Sequence, residues 1–413
     1  MILKGRFLAA AVAGLVLACS ASAETPVEAA IRGNDVTALD ALAVSAASAD
    51  ERALARGTAL ALRHKDSAAL ALLQPLGKHA ANPAIAVAAD LGAAAVFLRQ
   101  SRFAEVCRMY ASVEALKQPL DHDQMQTYGF AKLLTHEKPM AVKRRAAGRL
   151  AVTRDMAGLA RVPVSAGGAT VDAIVDTGAG FSTLTESAAK KLGVRLVAGT
   201  ATVKSTTRDD LPARLGIAAK LQFGDAVLTD VVFIVLPDSA LSFAEGKYTI
   251  DVIIGLPVFE ALGRLELARE DRERLYYGAK PGAAPEPSNL LLDGVQPIIL
   301  ARAGDANLRL FVDTGANTTD LNSSAGREFP ALMTGAVKAK SNLGGAGGVL
   351  EDADAMKIPA LTLSVGTRNF DLKAVTVRSK AIDGHHGDIG QDLLQQGKRW
   401  AFDFNAMSFS VSE

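Results

Sequence analysis

The sequence predicts an α+β protein of several domains, in which an N-terminal all-helical region precedes two tandem β domains that pair as a pseudo-dimer. Three observations indicate this. Residues 24–150 are rich in Ala and Leu, residues from 155 onward form short β-branched segments bounded by Gly, Asp and Pro, and one acidic motif occurs twice in that second part. A chain of 413 residues is long enough for such a division, at roughly 100–200 residues per domain.

The composition limits the classes of protein. Hydrophobic residues make up 49% of the chain and charged residues 22%, which favours packed cores over disorder. Because 45 Lys and Arg face 44 Asp and Glu, the net charge of +1 offers no basic surface for nucleic acid. Only Cys19 and Cys107 occur, so we expect no internal disulfide in the mature chain.

Residues 1–23 predict a secretory signal peptide. Lys4 and Arg6 give a positive start, an apolar run follows, and small residues at 21–23 suit a cleavage site. We therefore expect an exported protein, periplasmic or secreted. The segment that ends at Cys19 also resembles a bacterial lipobox, so lipidation is an alternative, and membrane attachment is expected only in that case.

Residues 24–150 predict a series of helices with a weak internal repeat. Arg32, Arg63 and Arg99 each close an Ala/Leu-rich stretch, at intervals of 31 and 36 residues. These intervals approach the period of tetratricopeptide-type helical repeats, although an irregular helical bundle fits equally well. The region shows no catalytic motif, and we consider it a candidate surface for a protein partner.

Two β-rich ranges follow, residues 155–278 and 291–413, separated by a Pro/Ala-rich linker at 279–290. The end of the second range predicts a hairpin with Asn405 and Ala406 at its turn.

A seven-residue pattern occurs once in each β range, and both copies place Asp-Thr-Gly-Ala after an apolar strand: residues 173–179 and 310–316. Each copy is followed by an Ile-Gly pair at a matched distance. Gly255 lies 79 residues after Asp176, and Gly390 lies 77 residues after Asp313. The shared motif and the shared spacing indicate an internal duplication.

The motif suits acid–base chemistry. Gly178 and Gly315 permit a tight turn that a Cβ would obstruct, and the preceding strand holds the carboxylate rigidly. Two carboxylates placed face to face cannot both ionise, so they hold one proton between them. The ionised group can then take a proton from water while the protonated group polarises a scissile carbonyl. We therefore predict Asp176 and Asp313 as the catalytic pair.

These residues resemble the aspartic proteases, and more closely the retropepsin-like branch, whose motif is Asp-Thr-Gly-Ala. The resemblance covers about residues 155–413 and implies two retropepsin-like β-barrel domains, aspartic endopeptidase activity on protein or peptide substrates, and no cofactor or metal. It implies that Thr177 and Thr314 form hydrogen bonds across the domain interface. The residues that it implies as supports of the active-site loops are Thr177, Gly178, Thr314 and Gly315. Alanine at the fourth motif position offers no hydroxyl to the ionised carboxylate, so we expect a weakly acidic pH optimum.

Two departures from the family pattern stand out. Asp388 lies where an apolar residue should precede Ile389 and Gly390, and a buried carboxylate there must be solvated or paired, His385 and His386 being nearby candidates. The family's glycine-tipped hairpin over the substrate is predicted at 342–348 in the second copy. Its counterpart in the first copy, at 205–210, contains no glycine.

Other motifs are weaker. Residues 178–183 resemble a dinucleotide loop, but its third glycine is replaced by threonine and it contains an acidic turn. Ser187 and Lys190 fit Ser-x-x-Lys without its companion motifs, and we expect an exposed helix face there. His385 and His386 are adjacent on a segment that we expect to be a solvated loop rather than a metal site.

Two alternatives remain open. The chain could be a non-catalytic exported scaffold that binds peptides or proteins, since Asp-Thr-Gly forms a good turn whatever its chemistry. Alternatively, each half could pair with its counterpart in a second chain, although the length of the linker favours a dyad within one chain.

Overall fold

The computed structural model of the chain describes residues 24–278 and 288–413. The predicted signal peptide at 1–23 and residues 279–287 of the predicted linker lie outside the described residues. Within those described, helices occupy the N-terminal part and strands dominate the rest, so the predicted fold class is confirmed.

The N-terminal region contains seven helices: α1 (Pro26–Arg32), α2 (Val36–Ser45), α3 (Ala49–Leu62), α4 (Asp66–His79), α5 (Pro83–Arg99), α6 (Phe103–Ala115) and α7 (His122–Leu133). Thr25, Ser48 and Asp121 begin α1, α3 and α7 with capping boxes, which satisfy amides that the first turn leaves unpaired.

The turns after α1, α3 and α5 share one geometry. Each places a left-handed residue two positions beyond the helix end, namely Asn34, His64 and Ser101, with φ of 51°, 58° and 55°. The following amide donates to a carbonyl five residues back, as from Asp35 to Ala30 at 2.9 Å. Arg32, Arg63 and Arg99 therefore lie at or next to the ends of the helices that this turn follows, while the tetratricopeptide-type repeat stays a prediction.

The first β lobe, residues 141–278, contains β1 (Ala141–Arg144), β2 (Gly148–Ala151), β3 (Thr153–Arg154), β4 (Ala160–Ala166), β5 (Ala169–Val175), β6 (Ser182–Thr185), α8 (Glu186–Lys191), β7 (Arg195–Leu196), β8 (Ala201–Val203), β9 (Leu211–Ala218), β10 (Leu221–Phe223), β11 (Ala226–Thr229), β12 (Val231–Leu236), a 3₁₀ turn (Asp238–Leu241), β13 (Ser242–Phe243), β14 (Tyr248–Thr249), β15 (Val252–Ile254), α9 (Leu256–Leu262), β16 (Arg264–Arg269) and β17 (Glu273–Tyr277).

The second β lobe, residues 288–413, contains β18 (Leu290–Asp293), β19 (Gln296–Ala303), β20 (Ala306–Val312), β21 (Asp320–Asn322), α10 (Ser323–Glu328), a 3₁₀ turn (Pro330–Met333), β22 (Val337–Lys338), β23 (Ser341–Gly345), β24 (Gly348–Asp352), β25 (Met356–Val365), β26 (Arg368–Arg378), β27 (Gly387–Ile389), α11 (Gln391–Leu394), β28 (Arg399–Asp403) and β29 (Ser408–Ser412).

The two lobes repeat one strand topology. In the first lobe β15 pairs parallel to β5 and antiparallel to β6, and β6 pairs parallel to β12. In the second lobe β27, β20, β21 and β26 pair in the same senses. There the order β19-β20-β27-β21-β26-β25 closes on itself through a β19–β25 pairing, which makes a six-stranded barrel.

A five-stranded sheet, in the order β2-β17-β16-β28-β29, joins the two lobes. Its middle contact pairs β16 of the first lobe with β28 of the second, as between Leu267 and Trp400. The predicted terminal hairpin is β28 and β29. Strands β1 and β2 lie inside the range 24–150 that the sequence predicts as helical, because they are drawn into pairing with β11 and β17.

The helical region packs on both lobes. Asn34 donates to Asp293 Oδ2 of the second lobe at 2.8 Å. His64, which the sequence suggests is an ordinary surface residue, lies 3.0 Å from Glu260 on α9 and 3.3 Å from the Phe404 carbonyl. One apolar core runs without a break from the helices into the first lobe.

Among the described residues, no helix has both the length and the apolar character needed to cross a membrane.

Candidate active site

Equivalent strand pairs position the two Asp-Thr-Gly loops. Asp176 directly follows β5, and its amide donates to the Ile254 carbonyl of β15 at 3.1 Å. Asp313 directly follows β20, and its amide donates to the Ile389 carbonyl of β27 at 3.0 Å. Each aspartate therefore leaves a buried strand at a fixed point and direction.

The two loops interlock through their threonines. Thr177 Oγ1 donates to the Val312 carbonyl at 2.7 Å and accepts from the Thr314 amide at 3.2 Å. Thr314 Oγ1 donates to the Val175 carbonyl at 2.9 Å and accepts from the Thr177 amide at 3.0 Å. Both threonines are buried, so these four reciprocal bonds fix one loop against the other. This is the cross-interface arrangement that the resemblance implies for the two residues.

The structure brings Asp176 and Asp313 together within one chain. Their exposed fractions are 0% and 2%, and the two carboxyl groups are close enough for the charge of Asp313 to act on Asp176. In each loop the Oδ1 atom accepts an amide from its own glycine at 2.8 Å. Burial first and the Asp313 charge second raise the pKa of Asp176 well above its ordinary value, against the lowering effect of its backbone donors. The pair therefore retains a proton at a pH where exposed aspartates have lost theirs.

Gly178 and Gly315 are required by the approach of the opposite carboxyl group. Neither has a positive φ. A Cβ on Gly178 would lie 2.4 Å from Asp313 Oδ1, and a Cβ on Gly315 would lie 2.7 Å from Asp176 Oδ2. The expectation that a Cβ is obstructive there holds, but the obstruction is to the dyad rather than to the turn.

The Ile-Gly pairs form the floor of the loops. A Cβ on Gly255 would lie 2.5 Å from the Ala179 carbonyl oxygen, and one on Gly390 would lie 2.6 Å from Thr318. The two glycine amides donate at 3.1 Å to the hydroxyls of Ser182 and Thr319 respectively. Sequence reasoning missed these two hydroxyl residues, although both lie six residues after their aspartate.

Asp388 is buried and paired. Arg378 contacts Asp388 Oδ2 at 2.6 Å and Asp320 Oδ1 at 2.8 Å. His385 Nε2 lies 3.3 Å from Asp388 Oδ1. All four residues are buried. The loop at residues 385–386, expected to be solvated, is therefore a buried segment that leads into β27, and the carboxylate of Asp388 is neutralised rather than hydrated. Sequence reasoning missed Arg378, the last residue of β26.

The remaining motifs have structural explanations. His386 lies 2.9 Å from Glu328, and burial and the neighbouring Arg309 lower its pKa. Within residues 24–278 and 288–413 no cluster of three or more His, Cys, Asp or Glu is arranged to hold a metal. Ser187 bonds to Asp238 at the start of α8. The 178–183 segment faces the Asp313 carboxyl group, where a pyrophosphate would be repelled.

The tips of two hairpins meet. The first hairpin is β8 and β9 with its tip at 204–210, and the second hairpin is β23 and β24 with its tip at 346–347. Ser205 and Thr207 hydroxyls each donate to the Ala346 carbonyl at 2.8 Å. Both segments named from the sequence, 205–210 and 342–348, are thus parts of hairpins, and their tips touch.

Comparison with known proteins agrees with these features. Residues 162–258, which include the first Asp-Thr-Gly-Ala motif, match the family model described as aspartyl protease, which confirms the resemblance drawn from the sequence. A solved structure, that of a retropepsin-like aspartic protease from Rickettsia conorii, is similar at 18% identity over 33% of this chain and 95% of that chain, with a TM-score of 0.24. No curated protein matches the sequence.

Proposed function

We propose that the chain is an aspartic endopeptidase that hydrolyses peptide bonds with a water activated between Asp176 and Asp313. The observation that carries the proposal is that two buried carboxyl groups lie at the ends of duplicated strands, each beside the glycine of the other loop. A scaffold that only binds peptides has no need to bury two acidic groups against each other, since each loses hydration and repels the other when charged.

In the proposed reaction the carboxyl groups of Asp176 and Asp313 have different roles. With one proton held by the pair, the ionised carboxylate takes a proton from water as the water attacks the carbonyl carbon. The protonated carboxyl group donates a hydrogen bond to the carbonyl oxygen, where negative charge develops. The leaving amine then receives a proton from the dyad, and no covalent intermediate forms. The interlocked threonines hold both carboxyl groups in place throughout.

The same geometry sets the expected pH dependence. Activity requires the singly protonated dyad, so it falls when the pair gains a second proton and when it loses its last one. Because burial and Asp313 raise the pKa of Asp176, the last proton is lost above the ordinary aspartate range. Ala179 and Ala316 supply no hydroxyl that would lower this pKa. These features favour a weakly acidic optimum.

The test is to replace each aspartate with its isosteric amide, as Asp176→Asn and Asp313→Asn, and to assay cleavage of a mixed peptide library at roughly pH 3 to 8. Each variant should lose activity by at least about 10³-fold while keeping its circular dichroism spectrum. Asp225→Asn, an exposed aspartate of the first lobe, is the matched control and should retain activity.

Two outcomes would contradict the proposal. A folded wild type that cuts nothing over this range would favour the alternative of a non-catalytic binding scaffold. Recovery of activity on mixing the two inactive variants would show that the site forms between two chains instead of within one.

A further inference from the structure

The first hairpin is held by the helical region. Lys204, where the tip begins, contacts Asp123 of α7 at 2.6 Å, and both side chains are largely shielded from solvent, with exposed fractions of 24% and 16%. One turn along α7, Gln126 Nε2 donates to the Asp209 carbonyl at 2.6 Å and to Asp210 Oδ1 at 3.0 Å. Helix α7 thus contacts both ends of the tip.

The opposite side of the same tip contacts the second hairpin. Ser205 and Thr207 bond to the Ala346 carbonyl, and Ala346 is fully buried. Gly347, with φ of +90°, is in the left-handed region, and a Cβ there would lie 2.6 Å from the Arg208 side chain. Helix α7, the first tip and the second tip therefore form one continuous set of contacts.

The helical region also contacts the loop that carries Asp176. Phe181, five residues after this aspartate, packs against Phe130 of α7 at a ring separation of 4.7 Å. A cavity of about 40 Å³ lies between them and strand β8, with Phe181 and Val203 among its lining residues. The first hairpin, helix α7 and the loop that carries Asp176 therefore all contribute residues to the lining of this cavity.

The first hairpin is poorly able to hold its own position. Residues 214–218 of β9 are anchored in the main sheet by pairing with β12. Among the described strands, residues 211–213 pair only with the three residues of β8, and two strands alone are marginally stable. The resemblance makes this hairpin the counterpart of the one that covers the substrate, and such a hairpin must open and close for a peptide to enter and to be retained. A contact that biases the hairpin toward the second tip therefore changes how well the substrate is retained.

We infer that Asp123 and Gln126 are positioning residues for the proposed peptidase: they hold the first hairpin against the second, which makes the helical region part of the catalytic unit. The inference rests on the proposed function, and it assigns the helical region a role beyond recruitment of a partner. The groups act on the substrate through the hairpin and do not touch the dyad.

The test is the double substitution Asp123→Asn/Gln126→Leu in the full chain. We expect KM for a library-derived peptide to rise about tenfold, as the loss of one ion pair and two hydrogen bonds suggests, with kcat changed less than about twofold. Asp40→Asn removes an ion pair with Arg63 inside the helical region and is the matched control. The charge swap Asp123→Lys/Lys204→Asp should lower KM back toward wild type relative to Asp123→Lys alone.

Hydrogen exchange gives a readout that needs no activity. Amides of residues 204–210 should exchange about tenfold faster in the double variant, while the helices keep their protection. Unchanged exchange at the tip, or faster exchange with an unchanged KM, would overturn the inference. If the wild type cuts no peptide, the proposed function fails, and exchange at the tip alone then decides whether the helical region holds the hairpin.

Discussion

The two β lobes have the same strand arrangement, but they have different side chains beneath their Asp-Thr-Gly loops. Beneath the first Asp-Thr-Gly loop, β15, β6 and β12 contribute Ile253, Thr183 and Leu236, all fully buried. At the corresponding registers of the second lobe, β27, β21 and β26 contribute Asp388, Asp320 and Arg378. An uncharged layer in one lobe is thus an ionic layer in the other, and both lobes hold the Asp-Thr-Gly loop with the same backbone hydrogen bond.

The difference shows which features the site requires. The glycines, the threonines and the strand pairing are equal in both lobes because the dyad depends on them. The layer beneath needs only to fill space without an uncompensated charge, since a buried ion pair is often no more stabilising than apolar residues of similar volume.

The largest expected effect comes from breaking the ionic layer. Arg378→Leu leaves two buried carboxylates without their cation, and we expect the free energy of unfolding to fall by about 3–5 kcal/mol. Denaturant unfolding followed by the fluorescence of Trp400, a residue of β28 in the shared sheet, measures this. The matched variant is Asp320→Thr/Arg378→Leu/Asp388→Ile, which copies the first lobe and should be neutral or stabilising. A triple variant as unstable as Arg378→Leu would show that the ionic layer is itself required.

The next effect tests the symmetry of the loops. Gly178→Ala and Gly315→Ala each place a methyl group within 2.4–2.7 Å of the opposite carboxyl group. Because the dyad must separate, we expect each variant to lose about 10²-fold in kcat/KM. Peptide cleavage measures this, with Gly129→Ala, where a Cβ meets nothing within 4 Å, as the control. Loss in only one of the two variants would mean that the lobes are not equivalent at the site.

A smaller, equally symmetric effect is expected from the threonines. Thr177→Val and Thr314→Val each remove one donor and one acceptor across the interface and leave buried partners unpaired, at a cost of about 1–3 kcal/mol. Thermal unfolding should show similar shifts for the two variants. A clear difference between the two shifts would mean that one of the two loops contributes more to the stability of the interface than the other.

The smallest effect concerns a side chain that only the second lobe has. Gln391 donates to the Thr314 carbonyl at 2.7 Å, and the corresponding residue of the first lobe is Leu256. Gln391→Leu should therefore cost about 1 kcal/mol and leave the pH profile of cleavage unchanged. A shifted profile would show that this amide influences the dyad.

Sequence reasoning predicted what depends on repeated local patterns. The two motifs, the Ile-Gly floors and the helical region follow from residue order, because strands, turns and helices have local signatures. It failed where a side chain's environment depends on register. Arg378 meets Asp388 only because β26 and β27 both flank β21, and Asp123 meets Lys204 only because the helical region packs on the first lobe. Neither pairing has a local signature in the chain.

The central claim is that Asp176 and Asp313 share one proton within one chain. Infrared difference spectra between the wild type and Asp176→Asn/Asp313→Asn measure the carboxyl stretches directly. At about pH 5, above the ordinary aspartate pKa of about 3.9, the account predicts one protonated and one ionised carboxyl group in the difference. Two ionised carboxylates at that pH would contradict it.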